Sequence, residues 1–316
     1  MRYLKVTKAE VLREKYKYII GWGAGGEYKK YCLNPTFLDY LVDTGKKGAG
    51  QIGAIVNGVK VSDTDEIKGL AQYWDNCLIV IYPNIEQEIL SSVYQVFPND
   101  VDTIVGRLVD FNNENRSYAT SFEDCIMLGI MQKLNMDNFS YMDIGVCHPV
   151  VRNNTYLFYE RGNKNGVLVE PNVEMCNLAK CYRPNDQLAN CGASADHEDK
   201  ELTYYFDNNN PGLNTFSREV AEQRGMSENT ISIPVKNINK IIADNFTDYP
   251  NVLDIDTEGM DYEILCAIDF EKYPIDVICA ETNGNESFVK LMDTKGYKQY
   301  ARTKENTIFI KKNIDI

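Results

Sequence analysis

Tyr141-Met142-Asp143-Ile144-Gly145 reads as a short buried strand closed by an acid and a glycine, and Gly166-Val167-Leu168-Val169-Glu170-Pro171 repeats that form one helix later. Thr155 to Arg161 carries a helical pattern between them, and Val173 to Tyr182 carries another after the second strand. Two strands joined through a helix pair in parallel, since an antiparallel partner needs only a tight turn. A ligand of such a sheet lies across the carboxyl ends of its strands. The first turn must let backbone come close, which suits Gly145 after Asp143. An acid at the end of the second strand, Glu170, can accept both hydroxyls of a ribose.

The pattern continues downstream. Gln187 to Ala193, Leu202 to Phe206 and Val252 to Asp256 read as third, fourth and fifth strands, followed by a helix at Met260 to Ile268, a strand at Val277 to Ala280 and a helix at Glu286 to Gly296. Tyr297 to Arg302 and Asn306 to Lys311 read as an antiparallel hairpin at a sheet end. Upstream, Phe122 to Leu134 is apolar at Ile126, Ile130 and Leu134, as a helix requires, and a polar break at Phe111 to Ser117 precedes it. Before that break lies a second alternation. A strand at Tyr18 to Ile20 runs into a glycine-rich turn and a helix at Glu27 to Leu33. An apolar run then ends at Asp43, a Gly-rich loop follows, and Ile52 to Val61 turns at Asn57-Gly58. A helix near Asp65 to Tyr73, a strand at Leu78 to Ile81, a helix at Glu86 to Phe97 and a strand at Ile104-Val105 complete it. The expected fold is therefore α/β, with two doubly wound Rossmann-like domains. Residues 1–112 form a small first domain, 113–136 a linker and lead-in helix, and 137–316 the second domain.

Composition narrows the function. The 316 residues carry 33 basic and 46 acidic side chains, a formal net charge of -13. A protein that tracks a phosphate backbone needs the opposite surplus, so nucleic acid is not the expected partner. The nine cysteines are odd in number and form no C-x-x-C pair, and there are two histidines, which argues against a disulfide framework or a zinc site. No apolar run approaches the roughly 20 residues of a membrane-spanning helix, and Met1-Arg2-Tyr3-Leu4-Lys5 leads into charged residues without the apolar stretch of a signal peptide. The expectation is a soluble, cytoplasmic protein whose partner is a small molecule.

Three constellations have chemical content. Gly21-x-Gly23-x-x-Gly26, with Asp43 some twenty residues on, has the spacing of a dinucleotide fingerprint, and equally that of a tight turn that binds nothing. Around Asp254-Ile255-Asp256-Thr257-Glu258-Gly259, carboxylates crowd a strand end. Asp261 and Glu263 fall in a first helical turn, where the dipole favours acids, whereas Asp256 and Glu258 at the mouth of a buried strand need a partner. With Glu281 they read as ligands or as proton acceptors, and although an oxygen-only set suits a hard cation, no metal is assigned to them. His148 directly follows the Gly145 turn, as a base that titrates near neutrality or as a histidine that holds its loop. The Asn-rich stretch from Asp207 to Asn229 reads as an acceptor lid or a plain loop. His197, in a polar turn, reads as solvated.

Seven short motifs, in order, carry a resemblance. Tyr118-Ala119-Thr120-Ser121-Phe122-Glu123-Asp124, Asp143-Ile144-Gly145-Val146-Cys147-His148-Pro149, Asn153-Asn154-Thr155-Tyr156-Leu157-Phe158-Tyr159, Val169-Glu170-Pro171-Asn172, Arg183-Pro184-Asn185-Asp186 with Asn190-Cys191-Gly192, Asn214-Thr215-Phe216-Ser217, and Asp254 to Gly259 followed by Cys279-Ala280-Glu281 resemble the motifs of FkbM-type methyltransferases. Val146 and Cys147 replace small or polar residues of the first cofactor motif, and Thr120 replaces a glutamine. The resemblance implies a class I methyltransferase-like sheet, S-adenosyl-L-methionine as donor, and a hydroxylated acceptor such as a sugar or glycan precursor of polysaccharide biosynthesis. It implies that Asp143, Gly145, Glu170, Pro171, Asn190 and Cys191 line the donor, that Glu123 organises the approach to its tail, and that His148, Asp256, Glu258 or Glu281 takes the proton. The first domain loosely resembles the small Rossmann-like domain found beside sugar-modifying transferases. Two other readings remain open: a nucleotide-sugar binding protein without catalysis, and an NAD-dependent oxidoreductase using Gly21 to Gly26.

Overall fold

The computed structural model describes residues 2–4, 7–44, 52–82, 86–111, 117–163, 165–207, 210–226 and 228–316. Most of the Gly-rich loop after Asp43, and residues 112–116 of the polar break, lie outside them. The chain divides into two compact units, Met1–Glu114 and Asn115–Ile316.

In the first unit, the strands Arg2–Tyr3, Asp102–Val105, Cys77–Ile81, Tyr18–Trp22, Tyr40–Val42, Val59–Ser62 and Ile55–Val56 form one sheet in that spatial order. All neighbours are parallel except the last pair, which is antiparallel and turns at Asn57 and Gly58, both at positive φ. Cys77–Ile81 is buried along its whole length, as a central parallel strand covered on both faces must be. The helix expected near Asp65 to Tyr73 is a single α-turn, Thr64–Ile67, that continues as 3-10 helix over Lys68–Asn76. Gly69 interrupts its helical preference.

The second unit holds a seven-stranded sheet in the order Gln187–Ala189, Asn165–Val169, Ser140–Ile144, Val252–Ile255, Val277–Glu281, Asn306–Lys311, Tyr297–Arg302. The first five run parallel; the last two form the antiparallel hairpin that the sequence predicts. Alternation along the strands divides the core between two faces. Met142, Ile144, Val167, Val169, Leu253 and Ile255 pack with Ile238, Ile241, Ile264 and Leu265 on one side. Tyr141, Val252, Val277 and Ile308 meet Met127, Ile130 and Met131 of the Glu123–Lys133 helix on the other, so that this helix belongs to the second unit's core.

Two expected strands differ. Gln187 to Ala193 is two strands, since the chain leaves the main sheet after Ala189 and Gly192–Ser194 joins a separate three-stranded sheet. Asn190 makes the break, its Nδ2 turned back to donate to the carbonyls of Glu170 and Pro171 at 2.9 and 3.1 Å. The strand at Lys200–Tyr205 also belongs to this second sheet, beside Thr230–Asn237, which the sequence reading passes over. Pro234 hid that strand, because proline removes a ladder donor. Pairing with Gly192–Ser194 begins only at Val235, so Pro234 sits where that side of the strand has no partner.

Candidate functional site

The carboxyl ends of the Ser140–Ile144 and Asn165–Val169 strands build the site. The turn after the first strand needs glycine. Gly145 has φ +83, and a Cβ there would lie 2.8 Å from the carbonyl carbon of Asp256 and closer still to its oxygen. The chain presses together here because the Asp256 amide donates to the Ile144 carbonyl at 2.9 Å while the Gly145 amide donates to Val169 at 3.0 Å. The turn continues through Cys147, left-handed at φ +49.

Glu170 is buried, and both of its oxygens are held by backbone. The Cys147 amide donates to Oε2 at 2.7 Å and the Asn172 amide to Oε1 at 2.7 Å. The Glu-Pro-Asn sequence explains the placement. Pro171 ends the strand, and Asn172 caps the Val173–Tyr182 helix, its side chain accepting from the amides of Glu174 and Met175. Burial pushes the Glu170 carboxyl up to about 7 against the pull of those two amides, and the Asp143 charge adds to the rise. Each carboxylate oxygen has a further lone pair, so the group keeps acceptor capacity for hydroxyl donors. Asn190 sits beside it through its bonds to the Glu170 and Pro171 carbonyls. Cys191 points instead into the core with Val169, Ala193 and Ile238.

Asp143 is buried, on the same sheet face as its register partner Asp254. Its Oδ2 accepts from Thr155 Oγ1 at 2.6 Å and Asn153 Nδ2 at 2.9 Å, and Arg183 Nη1 lies 3.7 Å away. Arg183 is fully buried. Its Nε pairs with Asp186 at 2.7 Å, and Nη1 donates to Asn153 and Thr155. Asp254 accepts from Asn154 Nδ2 at 3.0 Å, and burial, then Asp143, raises its proton affinity. Asn153-Asn154-Thr155 is thus a buried platform under the Gly145 turn, and Arg183 is its counter-charge.

Glu123 is likewise an internal brace. It accepts from the Ser121 amide at 2.7 Å and, across the sheet, from Thr303 Oγ1 at 2.5 Å and Asn306 Nδ2 at 3.3 Å. His148 Nδ1 accepts from the amides of Val150 and Val151 at 3.1 and 3.0 Å, and its ring lies against Tyr182. That nitrogen organises the loop.

The structure does bring Asp256, Glu258 and Glu281 together, one oxygen of each within 4.8 Å of the others, close enough to hold a cation. Arg224 already gives this cluster a positive charge, 2.5 Å from Glu258. Asp261 is satisfied by the amides of Thr257 and Gly259 and serves the turn. Burial, followed by the charges of Glu258 and Asp261, pushes the Glu281 carboxyl up to about 7, and Asp256 is driven upward by burial and by Glu281. Arg224 and the Thr215 hydroxyl, which donates to the Glu258 carbonyl at 2.7 Å, were not legible as site residues. The Asn214 to Ser217 motif places the threonine but does not announce its partner.

A family model, Methyltransferase FkbM domain, matches residues 143–304, more than half of the chain. This chain belongs to the FkbM methyltransferase family. The match begins at Asp143 and takes in Glu170, Asn190, the acid cluster and the first strand of the terminal hairpin. Across nearly its full length the chain is also similar to methyltransferase FkbM from Methylobacillus flagellatus KT, a crystal structure, at 10% identity and a TM-score of 0.35, covering 96% of this chain and 92% of that one. No curated protein matches. Among the described residues, no helix is long and apolar enough to cross a membrane.

The glycine-rich turn of the first unit has a packing explanation. A Cβ on Gly21 would lie 2.6 Å from Leu38 Cδ1 and 3.2 Å from Tyr82, and the Ala24 amide donates to Asp43 at 3.2 Å, so the fingerprint acid closes its own turn.

Proposed function

We propose that this methyltransferase takes its methyl group from S-adenosyl-L-methionine and passes it to a hydroxyl of a sugar or glycan precursor. The Glu170 carboxylate carries the reading: a buried acid at the end of the second strand, oriented by two amides and with acceptor sites to spare, has what a ribose diol requires. Gly145 admits backbone beside it, and Asn190 and Pro171 form the adjoining rim. Asp143 and Glu123 serve from within, by fixing the turn and the lead-in motif.

The donor, when bound, supplies an activated sulfonium methyl. The chain's remaining tasks are to align the acceptor and to receive its proton. Glu281, raised to about 7, is the proton acceptor we assign, with Asp256 beside it. A carboxylate near its midpoint at neutral pH takes a proton from a hydroxyl that loses it during transfer. Glu258 is tied to Arg224, and His148 Nδ1 to its loop, which leaves both better suited to positioning. Nine free cysteines suit a reducing compartment, and we place the protein in the cytoplasm.

The test is transfer of label from methyl-labelled donor to a panel of sugars and sugar nucleotides, with the product analysed for O-methyl groups. Labelled O-methyl product that disappears in Glu281→Gln while donor binding remains supports the assignment. Labelled N-methyl product, or transfer unaffected by that change, overturns it.

A further inference from the structure

Glu258 anchors a segment within the Asn-rich stretch. Its backbone is left-handed, φ +57, a conformation a non-glycine residue keeps only when its surroundings impose it. The surroundings here are contacts to one segment. Thr215 Oγ1 donates to the Glu258 carbonyl at 2.7 Å. Arg224 Nη2 donates to Glu258 Oε2 at 2.5 Å, and Nη1 of the same guanidinium donates to the Leu213 carbonyl at 2.7 Å. The neighbouring Gly259 is approached so closely that a Cβ would lie 3.1 Å from Val220 and 3.3 Å from Ser217. Arg224 therefore joins both ends of the Leu213–Arg224 segment to the turn that carries the acid cluster. Burial raises the proton affinity of Glu258, Arg224 opposes that rise, and Asp261 and Glu305 add to it, while Asp256 and Glu281 share the cluster.

We propose that Arg224 is a positioning residue for the acceptor side of the methyl-transfer site: its guanidinium fastens the Leu213–Arg224 segment to the Glu258 carboxylate and holds that carboxylate beside Asp256 and Glu281. The proposal rests on reading the acid cluster as the place where the acceptor loses its proton. An arginine fork can hold a carboxylate and a carbonyl at once, whereas a lysine offers one point charge. Lysine should therefore keep the charge and lose the tie to Leu213.

The test compares Arg224→Gln and Arg224→Lys with the unmodified protein by amide hydrogen exchange and by infrared absorbance of protonated carboxyls at pH 7. In Arg224→Gln the amides of Thr215, Ala221 and Met226 should exchange about tenfold faster or more. Protonated-carboxyl absorbance should rise, and the added band should vanish in Arg224→Gln/Glu258→Gln. Arg224→Lys should restore the carboxyl signal and only part of the protection. Unchanged exchange, or a carboxyl signal that does not respond to Arg224→Gln, overturns the proposal. Binding of S-adenosylhomocysteine to the unmodified protein, followed in parallel, reports separately on the donor site, so a failure there is distinct from a failure here.

Discussion

Gly145 and Asp256 touch backbone to backbone: the glycine turn after one strand leaves no room for a side chain against the carbonyl that ends the next. That contact joins the Gly145 turn to the acid cluster. Gly145→Ala must both hold an unfavourable φ and push Asp256 away, a combined cost on the order of 2–4 kcal/mol. Gly162 provides the comparison, since it also has positive φ (+97) but open space where a Cβ would go. Gly162→Ala should cost about 1 kcal/mol. Urea denaturation of both variants checks the difference, and equal losses would show that the contact with Asp256 carries no energy.

Glu170 makes stability depend on pH with a definite sign. Its folded carboxyl titrates at about 7, whereas an unfolded glutamate titrates near ~4.3. The folded state binds the extra proton between those values, so the group's contribution is present in acid and lost as pH rises through 7. Relative to the unmodified protein, Glu170→Gln should gain stability on the order of 1–3 kcal/mol between pH 5 and pH 8. Denaturation midpoints at the two pH values measure it, and a pH-independent difference would contradict the burial account.

Arg183 neutralises the buried acids beneath the turn. Arg183→Met removes the charge and leaves Asp143 and Asp186 uncompensated, at a cost of about 3–5 kcal/mol at neutral pH. The loss should shrink as pH falls toward the range where Asp186, whose proton affinity burial raises, takes up a proton. A loss that does not shrink in acid would contradict this charge balance.

Thiol reactivity should follow burial. Cys181 and Cys266 are exposed and should alkylate first with iodoacetamide. Cys147, half-buried and raised by burial and by Glu170, should react more slowly than that pair, and Cys176, buried and pushed up to about 12, only after unfolding. Labelling of Cys176 in the folded protein, read by peptide mass spectrometry, would contradict this order.

The parallel sheets and the terminal hairpin were legible because burial of both faces writes itself as short apolar runs, as at Val277 to Ala280 and Leu78 to Ile81. The partition of strands between two sheets was not, since Asn190 breaks a run without changing its apolar character and Pro234 disguises a strand with one free side. The placement of Gly145 and Glu170 at the ends of neighbouring strands could be read from position alone. The inward turn of Asp143 could not, because its partners Asn153, Thr155 and Arg183 are polar residues whose convergence depends on tertiary packing. Arg224 lay in a segment that reads as loop, and its hold on Glu258 spans residues far apart in the sequence.

Whether a ribose diol rests on Glu170 is tested most directly by titration calorimetry with S-adenosylhomocysteine from pH 5.5 to 8. Binding that strengthens up to about pH 7 and then levels, as expected of a carboxyl that must ionise there to accept two hydroxyls, and that is lost in Glu170→Ala with the fold intact, is the predicted result. No heat of binding in the unmodified protein, or equal affinity in Glu170→Ala, would contradict it.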